Sequence, residues 1–329
     1  MKAFVLRSYG PPDVLELRDV ADPVPGPGEV LVRVRATSIN PYDWHLMRGE
    51  PRVARLMPGG LGLRRPSVDI LGCDMAGEVE ELGPGVTGLA PGDNVYGLLV
   101  GGGFGERVAV PAELLAPLPA GLTHEETAAI PMAGVTAYLG LREAGQLKSG
   151  QTVLVNGASG GVGTFAVQLA KAMGAHVVAV CGTHNVDLIR SLGADEVIDY
   201  RRDEYPGRVR RFDVVLDNAG ARPVSAHLRA MTPGGIFVAV GGPAGRWLSP
   251  ADRVVKAQLR TRFAAQRAAL ADAVNCKDKR SVLLALNGYI EAGQLRPVVH
   301  RRYTFDDLPA AVAYQEAGHA PSKVVVTIP

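Results

Sequence analysis

The chain has 329 residues, of which 47% are hydrophobic and 21% charged, with a formal charge of +2. That is an ordinary globular composition, long enough for about two domains. The small charge excludes nucleic acid as the main partner, which would require a strongly basic face, and no apolar run approaches the roughly 18 residues of a membrane span.

Cys73, Cys181 and Cys276 lie far apart and form neither a disulfide ladder nor a C-x-x-C metal clip, so a reducing, cytoplasmic setting is expected. Met1 to Arg7 is too short for a leader. The first third is β-rich and broken by turns. Met1 to Leu6 and Val14 to Arg18 read as strands on either side of a turn at Pro11-Pro-Asp. Ala21 to Gly28 carries three prolines and is a connection, because proline removes the donors a central strand needs. Strands resume at Val30 to Ala36, Ala76 to Leu82, Asn94 to Leu99 and Gly105 to Val110, with turns at Gly83-Pro-Gly85 and Ala90 to Asp93. Short strands punctuated in this way predict a partly closed barrel. Between them, Asn40 to Gly49 reads as a loop that carries Asn40, Tyr42 and His45. Arg48 to Pro66 is rich in cations and reads as a solvated loop, with a lid over an anionic substrate as the alternative. Thr123-His-Glu-Glu126 is a capping box that opens a helix.

The chain is organised around Val153 to Val180. Val153 to Val155 is an apolar, β-branched run that ends in a glycine cluster, and Phe165, Leu169 and Met173 then recur at helical spacing. His176 to Val180 supplies a second strand, which completes a βαβ unit. Backbone N–H groups and the positive end of a helix hold a pyrophosphate only where no side chain intervenes. Gly160 and Gly161, within Ala158-Ser159-Gly160-Gly161-Val162, give that bare turn, and Gly163 allows close helix packing. Ala158 stands at the first glycine of G-x-G-x-x-G, with Gly157 one residue earlier. Beyond the second strand, Cys181-Gly-Thr-His-Asn185 has no acid before Asp187, whereas an NAD site places one there. Thr183 and His184 can donate to a 2′-phosphate, with Arg190, Arg201 and Arg202 as auxiliary cations. NADPH is therefore expected over NADH.

A helix follows at Leu188 to Asp195, then strands at Glu196 to Tyr200, Phe212 to Asp217 and Gly235 to Gly241. Ligands bind beyond the carboxyl ends of such strands, which makes Tyr200, Asn218, Val240, Gly241 and Gly242 candidate cofactor neighbours. The basic runs Arg201 to Arg211 and Arg246 to Arg267 are interrupted by acids and read as solvated faces. Thr261 to Ala265 is predicted as the last strand of this sheet. A helix from Asp278 to Gly293 and strands at Arg296 to His300, Tyr303 to Phe305 and Ser322 to Ile328 rejoin the first domain. The domains expected are residues 1–122, 123–266 and a return segment 267–329, with the site in the cleft between them.

The ordered set Gly28-Glu-Val-Leu-Val-Arg-Val, Asn40-Pro-Tyr-Asp43, Leu71-Gly-Cys-Asp-Met-Ala-Gly-Glu-Val79, Pro91-Gly-Asp-Asn-Val-Tyr-Gly97, Ala133-Gly-Val-Thr-Ala-Tyr138 and Asn156 to Gly163 resembles the medium-chain dehydrogenase/reductases. It is most similar to their zinc-free quinone oxidoreductase, or zeta-crystallin-like, branch. The resemblance spans nearly the whole chain. It implies an α/β fold, a Rossmann doubly wound parallel sheet plus a GroES-like partly closed β-barrel catalytic domain, assembled as a homodimer. It also implies that Asn40 lies beside the nicotinamide ribose and substrate carbonyl, and that Thr136 meets the nicotinamide end. Where zinc-dependent relatives have a Cys and a His-Glu pair, this chain has Ser38 to Asn40 and Cys73-Asp74, so no metal is expected. Cys73, Asp74 and His45 are the one improvised ligand set available. Without zinc, hydride transfer favours quinones and α,β-unsaturated carbonyls, whose developing oxyanion needs only donors and a proton. Tyr42 and His45 are the candidate donors. In enoyl-thioester reductases of this superfamily a catalytic Tyr follows the glycine matching Gly49, where this chain has Glu50-Pro51-Arg52. Thioester reduction and a non-catalytic NADPH sensor are the alternatives.

Overall fold

The computed structural model describes residues 1–56, 61–63, 65–203, 212–241, 251–262, 264–318 and 320–329. They form two compact units: Met1–Met132 with Cys276–Glu291 and Pro297–Pro329, and Ala133–Asn275 with Ala292–Arg296.

The first unit begins with β1 (Lys2–Leu6) and β2 (Leu15–Asp19), an antiparallel pair. Next come β3 (Glu29–Ile39), α1 (Pro41–Arg48), β4 (Asp74–Leu82), β5 (Asn94–Leu98), β6 (Arg107–Pro111), β7 (Leu115–Pro117) and α2 (His124–Ala128). The β3 strand organises this unit, pairing antiparallel with both β4 and β6. Its register against β4 shifts at Leu31/Val32 and again at Val34/Ala36. Such shifts bend a strand, which lets one long strand serve two partners around a curved sheet. Val30, Val32, Val34, Met75, Val95 and Phe104 fill the core behind it.

The second unit holds α3 (Pro131–Tyr138) from Ala133 onward, then β8 (Thr152–Asn156), α4 (Gly161–Ala172), β9 (His176–Cys181), α5 (Val186–Ser191) and β10 (Glu196–Asp199). It continues with β11 (Phe212–Asp217), α6 (Val224–Ala230), β12 (Met231–Ala239), α7 (Ala251–Thr261) and β13 (Arg267–Leu270). The strands lie in the order β10-β9-β8-β11-β12-β13, all parallel. Numbered from β8, this is the 3-2-1-4-5-6 order of the Rossmann sheet, whose direction of winding reverses between its first and fourth strands. Here that point lies between β8 and β11.

The chain then returns to the first unit with α8 (Lys279–Glu291), β14 (Val299–Thr304), α9 (Leu308–Glu316) and β15 (Lys323–Thr327). The β15 strand lies parallel to β14 and antiparallel to β3, pairing Val324 with Ile39 and Thr327 with Ala36. The fold class is therefore the expected one, a Rossmann sheet plus a GroES-like curved β-unit.

Several local expectations are corrected. Asn40 to Gly49 is not a loop: Pro41 stands at the first helical position, Asp43 sits in the first turn and Gly49 closes α1 at φ 60°. Thr261 to Ala265 is not a strand. Thr261 ends α7, where Ala257 is buried between exposed neighbours in a helical pattern, and the last strand begins at Arg267. Arg296 to His300 and Tyr303 to Phe305 are replaced by the single strand β14, and α6, α9 and β7 were not anticipated.

Candidate functional site

The glycine turn after β8 separates three duties. Gly157 has φ +76°, a conformation that side chains rarely adopt. Gly163 is held by contact, because a Cβ there would lie 2.3 Å from the Gly157 carbonyl oxygen and 2.6 Å from that of Ala158. Gly160 caps α4 with φ −75° and ψ 174°, and a Cβ on it would meet only the Gly157 oxygen, at 3.5 Å. The protein's own packing thus demands glycine at 157 and 163 but not at 160. At 160 the missing side chain leaves backbone bare at a helix N-terminus that no side chain caps. Ala158 is buried, and its N–H donates to the Val180 carbonyl, locking the turn to β9. Ser159 and Val162 flank the same helix start.

At the carboxyl end of β11, Asp217 is fully buried. It accepts from Asn156 Nδ2 at 2.7 Å and from the Gly220 N–H at 3.1 Å, and lies 3.7 Å from His227 Nε2. This network fixes the neighbouring Asn218, whose amide nitrogen and oxygen are both buried without a hydrogen-bond partner among the described residues. A buried primary amide left unpaired is costly, and a ligand that offers a donor and an acceptor removes the cost. Gly241 approaches Asn218 so closely that a Cβ would lie 3.0 Å from the Asn218 carbonyl oxygen. The Val240 N–H donates to the Asp217 carbonyl. Thr136 is buried in α3. Gly242 lies outside the described residues. The bare helix start and the orphaned Asn218 amide, both at the carboxyl end of the sheet, fit a dinucleotide cofactor.

At the end of β9, Thr183 and His184 form a short helical turn, with His184 exposed. The Thr183 hydroxyl already donates to Asp199 Oδ2, at 2.7 Å. Tyr200 is 52% exposed, and its hydroxyl would stand 3.3 Å from a Cβ on Gly182.

The first unit concentrates its buried charge around Asn40, the residue before α1. Asn40 Oδ1 accepts from Lys323 Nζ at 2.5 Å, and Nδ2 donates to Asp74 Oδ2 at 2.8 Å and to the Ser38 carbonyl at 3.2 Å. The amide is thus fully engaged by protein, and its orientation is set. Asp74 Oδ2 also accepts from Ser38 Oγ at 2.5 Å and lies 3.2 Å from Lys323 Nζ, while Oδ1 accepts from the Met132 N–H at 2.7 Å. Asp43 receives the Asn40 N–H at 2.8 Å and the Cys73 N–H at 3.1 Å. Burial, reinforced by the charge of Asp74, pushes the Asp43 carboxyl up to about 7. Burial also pushes the Cys73 thiol well up, which leaves it inert as a thiolate. Among the described residues no three His, Cys, Asp or Glu side chains are grouped to hold a metal. Asp74 faces Lys323 and His45 faces a carbonyl, so Cys73, Asp74 and His45 do not converge.

Tyr42 and His45 stand three residues apart on α1, on neighbouring positions of its surface. Burial raises Tyr42 to about 12, aided by Cys73 and Asp43, so its hydroxyl stays protonated across the physiological range. His45 Nδ1 lies 3.1 Å from the Glu50 carbonyl, which only accepts, so Nδ1 carries the proton in the neutral ring. Burial lowers the His45 pKa. Neutral His45 therefore presents an acceptor at Nε2, and Tyr42 is the better donor. The helix itself is anchored: Arg48 forms a two-pronged pair with Glu316 at 2.6 and 2.9 Å, and Trp44 Nε1 donates to Gln315 at 2.5 Å. Arg55 donates to the Arg48 and Gly49 carbonyls at its C-terminal end and stacks on Tyr9.

Sequence reasoning missed Asp43, Lys323, Asp199 and Asp217, and named Asp74 only as a member of the improvised ligand set. Only Asp43 carried a readable signal, as the acid three residues after Asn40 in an N-cap pattern.

With this geometry in place, comparison with known proteins is decisive for the class. Residues 26–120 match the alcohol dehydrogenase GroES-like domain and residues 192–326 match a zinc-binding dehydrogenase domain. The chain is 33% identical to 2-methylene-furan-3-one reductase of Solanum lycopersicum, over 99% of its own length and 79% of the relative's. It superposes on the quinone oxidoreductase of Coxiella burnetii with TM-score 0.85 at 26% identity, covering 100% and 99% of the two chains. A mycobacterial protein solved with NADPH gives TM-score 0.84 at 26% identity, covering 99% of this chain and 100% of that one. The chain belongs to the medium-chain dehydrogenase/reductase superfamily, and is an oxidoreductase of that type. Within it, the chain falls in the zinc-free quinone oxidoreductase branch.

Proposed function

We propose that the protein is a zinc-independent, NADPH-dependent reductase of quinones or α,β-unsaturated carbonyls, working as a cytoplasmic homodimer. The observation that carries the reaction class is Tyr42, a phenol kept protonated by burial on a helix anchored through Asp43 at its start and Arg48 at its end. A substrate that gains charge on oxygen as it is reduced needs such a neutral donor and no metal.

When bound, the cofactor supplies a hydride. The chain's own residues do the rest. The bare turn at Gly160 and the start of α4 hold the diphosphate, and the Asn218 amide takes a polar group of the cofactor. His184, Arg190, Arg201 and Arg202 favour the extra phosphate of NADPH, and no carboxylate stands at the end of β9 itself. Tyr42 donates to the substrate oxygen and then yields its proton. His45, an acceptor at Nε2, orients the substrate. The name of the tomato relative specifies an enone-type substrate and that of the Coxiella structure a quinone, which supports this substrate class.

The test follows nicotinamide absorbance with purified protein, NADPH or NADH, and a panel of quinones, enones, enals and enoyl-thioesters. Oxidation by quinones or enones with kcat/KM higher for NADPH is expected. Turnover confined to thioesters would move the protein to the enoyl reductases, and binding without turnover on the whole panel would make it a sensor.

A further inference from the structure

Beside the end of β9 stands a charge, supplied by the neighbouring strand, that the sequence gives no reason to place there. Asp199 closes β10, and in the parallel register of the two strands it stands directly opposite Cys181, the last residue of β9. In a βαβ unit that strand end receives the adenosine ribose. Asp199 is only 7% exposed. The Thr183 hydroxyl, foremost among its partners, holds the carboxyl below the usual carboxylate range, so it is ionised at neutral pH.

We propose that Asp199 is a specificity-determining residue for the nicotinamide cofactor, one that narrows the preference for NADPH over NADH. The inference rests on the dinucleotide reading above. Three contacts carry it. The Thr183 hydroxyl has one proton and gives it to Asp199 Oδ2 at 2.7 Å, so it has none for a phosphate. The Arg201 N–H is taken by Asp199 Oδ1 at 3.0 Å, and Arg202 Nε lies 3.5 Å from Oδ2. The Asp199 N–H in turn donates to Asp203 at 3.3 Å, which brings a second carboxylate to the same turn. Of the nearby cations, Arg190 is paired with Asp187 at 3.6 Å. His184 and Arg201 remain exposed. Among the described residues, cations and carboxylates are thus nearly matched where a 2′-phosphate dianion would arrive. A ribose hydroxyl, which is uncharged, is indifferent to that balance.

The experiment is calorimetric and needs no turnover. NADPH, NADH, 2′,5′-ADP and 5′-AMP are titrated into the wild type and into Asp199→Asn, which keeps a carbonyl acceptor for the Thr183 hydroxyl. The variant should bind NADPH and 2′,5′-ADP about fivefold more tightly at low salt, with the gain shrinking as salt screens the charge. NADH and 5′-AMP should stay within about twofold of the wild type. A second variant, Thr183→Ala, should leave NADPH affinity within about twofold, because the hydroxyl is already committed to Asp199. Equal changes for phosphorylated and unphosphorylated ligands in Asp199→Asn would overturn the proposal, as would a severalfold loss of NADPH affinity in Thr183→Ala. Failure of the cofactor reading itself is separately visible, as wild-type protein that binds neither dinucleotide.

Discussion

Asp43 makes the first unit sensitive to pH in a direction opposite to most carboxylates. Its pKa is raised from an ordinary 3.8 to about 7 by burial and by Asp74. Between those two values the folded protein keeps a proton that the unfolded chain has released, so stability falls as pH rises through that window. At pH 5 the retained proton favours the folded state by about 3 kcal/mol, and at pH 8 by almost nothing. Asp43→Asn removes the titration, leaving one acceptor for the two N–H groups of Asn40 and Cys73 that Asp43 now receives. The loss of one hydrogen bond costs about the same at either pH, so it cancels in a double difference. Urea unfolding of both proteins at pH 5 and pH 8, followed by circular dichroism and tryptophan fluorescence, measures that difference. Wild type should lose about 3 kcal/mol more than the variant on going from pH 5 to pH 8. A double difference below about 0.5 kcal/mol would mean that Asp43 is ionised throughout, and the account of the buried cluster would fail.

Other expectations follow from the same geometry. Tyr42→Phe should lower kcat about 100-fold while the dissociation constant for NADPH stays within about twofold, and His45→Ala should cost less; equal losses in the two variants would remove the distinction drawn between donor and acceptor. Gly160→Ala should weaken dinucleotide binding without lowering Tm, whereas Gly163→Ala should lower Tm as well, because the second Cβ would be forced to 2.3 Å from backbone while the first meets it at an ordinary 3.5 Å; thermal melts and cofactor titrations of the pair separate the roles. Lys323→Met leaves Asp74 without its buried counter-charge and should cost about 3–5 kcal/mol in urea unfolding, most of it recovered by adding Asp74→Asn.

The nucleotide-binding unit was readable because its elements are local. Each strand is an apolar run a few residues long, each turn has its glycine, and the parallel order follows from the alternation of strand and helix. The error at Thr261 to Ala265 came from a region where, among the described side chains of α7, Ala257 alone is buried. The first unit was legible strand by strand, but α1 was hidden because eight residues with three inward-facing side chains give little periodicity. Its cap, Asn40 with Asp43, held the information instead. The ion pair of the buried cluster was not readable: Asp74 and Lys323 are separated by 249 positions, and nothing local distinguishes a buried lysine at a strand start from an exposed one. Asp199 was hidden in the same way, since its partner Thr183 is close in the sheet but sixteen residues away in sequence.

The β15 strand has a consequence for biosynthesis. The β3 edge that receives it is made early, yet Lys323, which orients Asn40, follows that residue by 283 positions and is made long after it. The Rossmann sheet, contained within Ala133–Asn275, has all its strands available well before then. Synthesis therefore has every strand of the Rossmann sheet on hand before it delivers the lysine that sets the Asn40 amide, so the buried cluster of the first unit is completed after the strands of the second.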